Sequence, residues 1–189
     1  DGGFNATLRD YGRFGQMIGR TLRMKSIPFT ALEASFEQVD FVRKFGNKIH
    51  FGDASRLDLL RAARADLAEI FVLAIDDIDA SVKTAAMVRK HYPHIKIYAR
   101  ARNRIHAYRL MDIGVDKLIR ETLLSSLELA RDIFVELGYS PAEAQETVQL
   151  FRQHDEKLLA RQHKIHEDEA QLIAASKAGA EELERLFGE

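Results

Sequence analysis

Tyr11-Gly12-Arg13-Phe14-Gly15-Gln16 decides how the rest of the chain is read. Its two glycines, three residues apart, form a turn that feeds straight into an amphipathic stretch, 17–24. An acidic residue, Glu33, closes the apolar run that follows, 29–32. Glycine lets the backbone come close to a phosphate, and the helix behind the turn offers unpaired N–H groups and the positive end of its dipole. Glu33 stands where a carboxylate accepts hydrogen bonds from ribose hydroxyls. This is most of a dinucleotide-binding fingerprint, with one departure: Asp10 occupies the first glycine position. A carboxylate there repels phosphate unless Arg9, Arg13 or a cation intervenes. The alternative is a tight strand-to-helix turn with no ligand; the pairing with Glu33 favours a nucleotide.

Outward from this turn, residues 5–120 repeat one rhythm: short apolar run, turn, amphipathic helix. The runs are 29–32, 48–51, 70–75, 96–99 and 117–119, and the helical patterns are 17–24, 36–45, 57–63, 82–91 and 105–113. Strands separated by helices of this length pair in parallel through right-handed crossovers, which predicts a Rossmann-like doubly wound α/β sheet. The first strand, 5–10, follows from this context rather than from propensity, because a central parallel strand is normally apolar and this one carries Arg9 and Asp10. Such sheets take ligands beyond the carboxyl ends of their strands. That singles out Gly12, Glu33, Asp53, Asp76, and Arg100 or Arg102.

After Thr122 the rhythm stops. One helix is predicted over 123–137, closed by Gly138. Ser140-Pro141-Ala142-Glu143 then combines an N-cap, a first-turn proline and a capping-box glutamate. The helix that follows is expected to run toward His166 or further. Phe151, Leu158, Ile165 and Leu172 recur every seven residues, with polar Asp155, Gln162 and Glu169 between them. One apolar position per heptad is too thin a stripe for a self-sufficient coiled coil. It suits a long arm laid across another subunit; a solvated tail beyond about residue 170 is the alternative. The domains expected are 1–121, nucleotide-binding, and 122–189, crossover and C-terminal helices.

Composition narrows the function. The 189 residues carry a net charge of −1 with scattered basic groups, which indicates neither nucleic-acid binding nor polybasic membrane attachment. No apolar run approaches the ~20 residues of a bilayer-spanning helix, and no signal peptide is present. The start at Asp1-Gly2-Gly3 suggests a piece of something longer. With no cysteine there are no disulfides, thiolate metal sites or thiol nucleophiles. Any redox sensing must then work by binding a redox metabolite.

The remaining constellations are weaker. In Phe51-Gly52-Asp53-Ala54, Asp53 could cap the helix beginning near Arg56, contact an adenosine, or do both. Asp76-Asp77 invites an acid–base reading, but two acids before a helix more often complement its dipole. Arg13, Arg20, Arg100, Arg102, Arg104 and Arg120 suit bidentate capture of a small polyanion. Arg100 and Arg102 alternate at a strand end, so they could point to opposite faces. His163 and His166, three apart in a charged helix, do not make a metal site. No nucleophile–base pair and no substrate domain present themselves, so the chain reads as a sensor and not as an enzyme.

Six stretches, in order and at matching spacings, carry a resemblance: Tyr11 to Gln16, Arg43-Lys44-Phe45-Gly46, Phe51 to Ala54, Ala74-Ile75-Asp76-Asp77, Tyr98-Ala99-Arg100-Ala101-Arg102 and Arg120-Glu121-Thr122. Together they resemble the cytosolic regulatory domain, of the RCK or KTN type, of the Kef glutathione-gated potassium efflux systems of Gram-negative bacteria. The resemblance covers about residues 5–160 and continues into Leu150-Phe151-Arg152-Gln153. It implies a homodimer on the cytoplasmic face of the inner membrane, following a transport domain of the same polypeptide that exchanges potassium for protons or sodium. A flavodoxin-like quinone reductase is implied as ancillary subunit. It also implies an AMP- or NAD-type nucleotide on Gly12, Arg13, Phe14, Gly15, Gln16, Glu33, Asp53, Ala54, Asp76 and Arg102. Glutathione would hold the transporter shut through Arg20, Phe45, Arg120 and Asp155, and glutathione S-conjugates, bulkier near Phe45, would open it. Asp155 departs from the family's asparagine, losing a donor and adding negative charge, and Asn103 replaces an acidic residue. The alternatives are the peripheral subunit of a Trk-type potassium uptake system, normally with a complete glycine fingerprint and a duplicated domain, and a small NAD-dependent oxidoreductase.

Overall fold

The computed structural model describes residues 6–9, 13–33, 48–52 and 55–187. The chain divides into two compact units, Asp1–Ile119 and Arg120–Glu189. Up to the boundary at Arg120 the elements are β1 (Ala6–Arg9), α1 (Arg13–Met24), β2 (Phe29–Glu33), β3 (Lys48–Phe51), α2 (Leu57–Ala62), a 3-10 turn (Ala65–Leu67), β4 (Ile70–Leu73), α3 (Ile78–His91), β5 (Lys96–Ala101), α4 (Arg104–Ile113) and β6 (Lys117–Arg120), whose last residue opens the second unit. The sheet order is β3-β2-β1-β4-β5-β6, and the ladders from β3 to β5 are all parallel. This is the doubly wound, Rossmann-like arrangement that the alternating pattern predicts.

Register explains why β1 works at the centre of the sheet. Ala6 lies between Phe29 and Ile70, and Leu8 between Ala31 and Val72. Residues two apart share a face, so these side chains form one apolar surface, against which Ile18 and Leu22 of α1 pack. Thr7 faces the other way, between Thr30 and Phe71, and is buried. Arg9, the residue that made this stretch an unpromising central strand, is its last residue.

Opposite the ligand edge, at the amino end of β5, one arginine gathers the connections. Arg89 of α3 donates to the Gly114 carbonyl (2.7 Å) and to Asp116 (2.6 Å). Asp116 also accepts from the Ile97 N–H (2.8 Å). Gly114 ends α4 at φ 78°, a left-handed conformation that glycine adopts without strain.

The second unit contains α5 (Leu123–Glu136), α6 (Pro141–His163) and α7 (Glu169–Phe187). The capping box forms: Glu143 N–H donates to Ser140 Oγ (3.2 Å), and Ser140 N–H donates to the Glu143 carboxylate (2.9 Å). The helix expected to run toward His166 forms to just short of that residue and does not go further. α6 stops at His163, and Asp168 restarts the chain as α7 by accepting from the Gln171 N–H (3.0 Å). α7 then returns antiparallel along α6, with Gln162 donating to Ser176 (2.9 Å) and Arg161 to Glu182 (2.8 Å). The buried Gly179 lets Leu158 approach closely. Asp155 and Gln162, polar positions that made the stripe look too thin to pack, are themselves buried.

Candidate functional site

In a doubly wound sheet the chain leaves neighbouring central strands in opposite directions, which opens a crevice at their carboxyl ends. Here that point lies between β1 and β4. α1 begins beside it at Arg13, with Phe14 in its first turn and Gly15 buried against the sheet. No acidic side chain stands in that first turn, so the helix N-terminus presents a positive field.

Asp76, Arg100 and Arg102 meet at the ends of β4 and β5, with Phe14 of α1 against Arg100. Arg100 of β5 is 7% exposed and donates to the Ala74 carbonyl (2.7 Å). The same guanidinium pairs with Asp76 and lies over the Phe14 ring, 5.3 Å from its centroid. Arg102 reaches the Asp76 carbonyl (3.4 Å). Both arginines thus turn toward the end of β4, and the expectation of opposite faces is corrected: positions two apart along a strand share a face. Asp77 accepts from the Ala80 N–H (2.7 Å) and caps α3, the ordinary task of an acid before a helix.

The remaining candidates are distributed as follows. Gln16 is half-buried on α1 and Arg20 is exposed further along it. Glu33 ends β2 opposite Phe51 of β3, and Gly52 leaves β3 at φ 143°, a region natural to glycine. Gly12, Phe45, Asp53 and Ala54 lie outside the described residues. The N-cap position of α2 is Arg56, which pairs with Asp58 (2.7 Å) and makes no side-chain cap. In the second unit, Arg120 and Asp155 form an ion pair with each side chain 12% exposed. Two residues on, Thr122 opens α5 at φ 68°, a strained conformation for a β-branched residue.

Sequence reasoning passed over one residue group. His106 of α4 is fully buried; its Nδ1 accepts from the Arg102 N–H (3.2 Å), and its Nε2 is 3.0 Å from Ser81 Oγ. Burial, chiefly, and then the charges of Arg109, Arg100 and Arg102 push its pKa below the usual imidazole value. The only hint in the sequence is its place one turn after Arg102.

Comparison with known proteins converges on this architecture. The TrkA-N domain family matches residues 10–121, and the potassium efflux system KefB C-terminal domain family matches residues 125–189. Among solved structures, the chain is similar to a Shewanella denitrificans Kef C-terminal domain in AMP-bound form. The two share 38% identity over 85% of this chain and 98% of that one, with a TM-score of 0.79. It is also similar to the TrkA-N domain of the Escherichia coli inner membrane protein ybaL, at 27% identity over 71% of this chain and 96% of that one, TM-score 0.62. A GsuK channel bound to NAD shares the fold at 15% identity over 68% of this chain and 23% of that one, TM-score 0.62.

Proposed function

The chain belongs to the Kef-type C-terminal regulatory domains of potassium efflux systems, built on the TrkA-N fold, and from that premise we propose that it is a two-ligand sensor. One ligand is an adenine nucleotide at the strand ends and the other is glutathione or a glutathione S-conjugate. The observation that carries the first half is the convergence of Phe14, Asp76, Arg100 and Arg102 beside the acid-free N-terminus of α1. Arg13 and the N–H groups of Gly15 and Gln16 would hold phosphate there, as helix N-termini do. Glu33 would take the ribose hydroxyls, the loop of Asp53 and Ala54 the adenosine, and Gly12 the close approach of the turn. The AMP-bound form of the Shewanella relative makes AMP the first nucleotide to test, ahead of NAD.

The second half rests on charge and on the family. Glutathione has two carboxylates, which suit arginines such as Arg20 and Arg120, and its approach to Arg120 meets Asp155, with which that arginine is paired. Phe45 is assigned to the bulk of the S-substituent. A ligand moves a gate only by its differential affinity for two arrangements, so exchange of glutathione for a larger conjugate is sufficient to switch the attached transport domain. Two copies of the chain, the transport domain and a quinone reductase subunit complete the assembly in this reading. The transport domain in this reading exchanges potassium for protons or sodium across the membrane, and the chain sits at the cytoplasmic face. Among the described residues no helix is long and apolar enough to cross a membrane. The chain itself performs no catalysis. The match of residues 125–189 to the efflux family favours efflux over the Trk-type uptake alternative.

Titration calorimetry with AMP, NADH, glutathione and an S-alkyl glutathione tests the reading. AMP and glutathione should bind together without competition, while the S-alkyl conjugate should displace glutathione alone. Binding of NADH with indifference to glutathione and its conjugate would overturn the glutathione half.

A further inference from the structure

We propose that His106 is a positioning residue for the nucleotide site: as a neutral imidazole it locks the Arg102 backbone, and with it the basic end of β5, against α3. The inference rests on the nucleotide reading above and goes beyond it to a residue that touches no ligand.

The hydrogen-bond directions define the lock. The Arg102 N–H can only donate, so Nδ1 of His106 must carry a lone pair and the ring proton must sit on Nε2. Nε2–H then donates to Ser81 Oγ on α3 (3.0 Å). The ring thus bridges two elements, with Arg102 on one side and Ser81 on the other. The peptide it holds directly follows β5 and lies between the two residues that reach Asp76 and the Ala74 carbonyl. Asn103, through its side chain, accepts from the His106 N–H (2.8 Å), so the α4 cap and the lock occupy the same turn.

A second proton on the ring would remove the acceptor that Arg102 N–H uses. The surroundings resist it. Facing the imidazole are Arg100 and Arg102 from the end of β5 and Arg109 from its own helix, with neutral Ser81 opposite. Arg109 is itself paired with Asp79 of α3 (2.7 Å). Burial and these cations place protonation below the ordinary imidazole range. The native chain therefore binds fewer protons than the unfolded one just below that range, and the lock weakens as pH falls. Acidification would loosen the strand end and release nucleotide.

The test follows His106 protonation through its ring resonances and compares AMP affinity of the wild-type chain and His106→Asn at pH values above and below that titration. Asparagine keeps an acceptor near the Nδ1 position but cannot gain a proton. AMP phosphate itself protonates near pH ~6, so the quantity read is the ratio of the two affinities, in which the ligand's own titration cancels. Wild-type affinity should fall relative to the variant by about fivefold, the worth of one hydrogen bond. A ratio independent of pH overturns the lock while leaving the nucleotide reading intact; wild-type chain that binds no AMP at any pH overturns both. If His106→Asn does not fold, exchange of the Arg102 amide in ligand-free wild-type chain serves instead. Its protection factor should fall together with His106 protonation, and protection indifferent to that protonation overturns the proposal.

Discussion

Asp155 stands where the family resemblance places an asparagine on glutathione, and the structure pairs its carboxylate with Arg120. An anionic ligand reaching Arg120 must therefore compete with a built-in carboxylate. Asp155→Asn removes that competitor and supplies an N–H donor. Glutathione should then bind about tenfold more tightly, the scale of one charge-assisted hydrogen bond, by calorimetry at fixed salt. Unchanged or weaker binding would place glutathione away from this pair. A second carboxylate has a structural task that titration can read. The Ile97 N–H, first, and Arg89 hold the Asp116 carboxyl below its ordinary value of 3.8. Because the folded value is the lower one, the stabilisation is present above about pH 4 and is lost as pH falls through the folded value, where the unfolded chain binds more protons. Asp116→Asn should lower the melting temperature near neutrality, and the gap to wild type should close as pH falls through the depressed folded value. A gap that stays constant with pH would remove the carboxylate from that account.

At the level of elements, what the sequence made legible and what it hid have separate physical causes. β2 through β6 could be read because each is an apolar run bounded by turns, and β1 only because a parallel sheet needs a strand before the glycine turn. The end of α6 was hidden because Phe151, Leu158, Ile165 and Leu172 keep their seven-residue spacing straight across the break. Periodicity reports which face is apolar, not whether the chain turns back to cover it. The site divides the same way. The turn at Gly12 to Gln16 announces itself locally, whereas the Arg100 cluster is assembled by register between β4 and β5, and the place of His106 is set by Ser81, 25 residues earlier in the chain. Gly179 marks the return of α7 along α6: a Cβ there would meet Leu158 Cδ2 at 2.8 Å. Gly179→Ala can be absorbed by a shift of that side chain and gains helix propensity. Gly179→Val cannot, and should destabilise the hairpin by about 1–3 kcal/mol through overpacking. Amide exchange confined to α7 would measure this, and equal protection in the two variants would argue that α7 does not depend on the close approach.

For the molecule as a whole, the question is what covers α5. Leu129, Ile133 and Leu137 repeat every four residues, hence along one side of the helix, and are 63%, 50% and 71% exposed. Single exposed apolar residues are ordinary, but an aligned row on a helix between a regulatory fold and its C-terminal hairpin fits an interface. In the two-ligand reading that interface is a second copy of the chain. The double variant Leu129→Glu, Ile133→Glu places like charges at the centre of a two-fold contact, where each is repeated by the partner. It touches no residue of the nucleotide site. Sedimentation equilibrium should show the parent as a dimer and the variant as a monomer at the same concentration. The ligands then separate the possibilities further. AMP, held within one unit, should bind both forms alike, whereas glutathione, if shared across the seam, should bind the monomer at least about tenfold more weakly. Undiminished glutathione binding by the monomer would confine that site to one chain, and a monomeric parent would take from the sensor the two-fold contact through which ligand exchange is proposed to reach the transport domain.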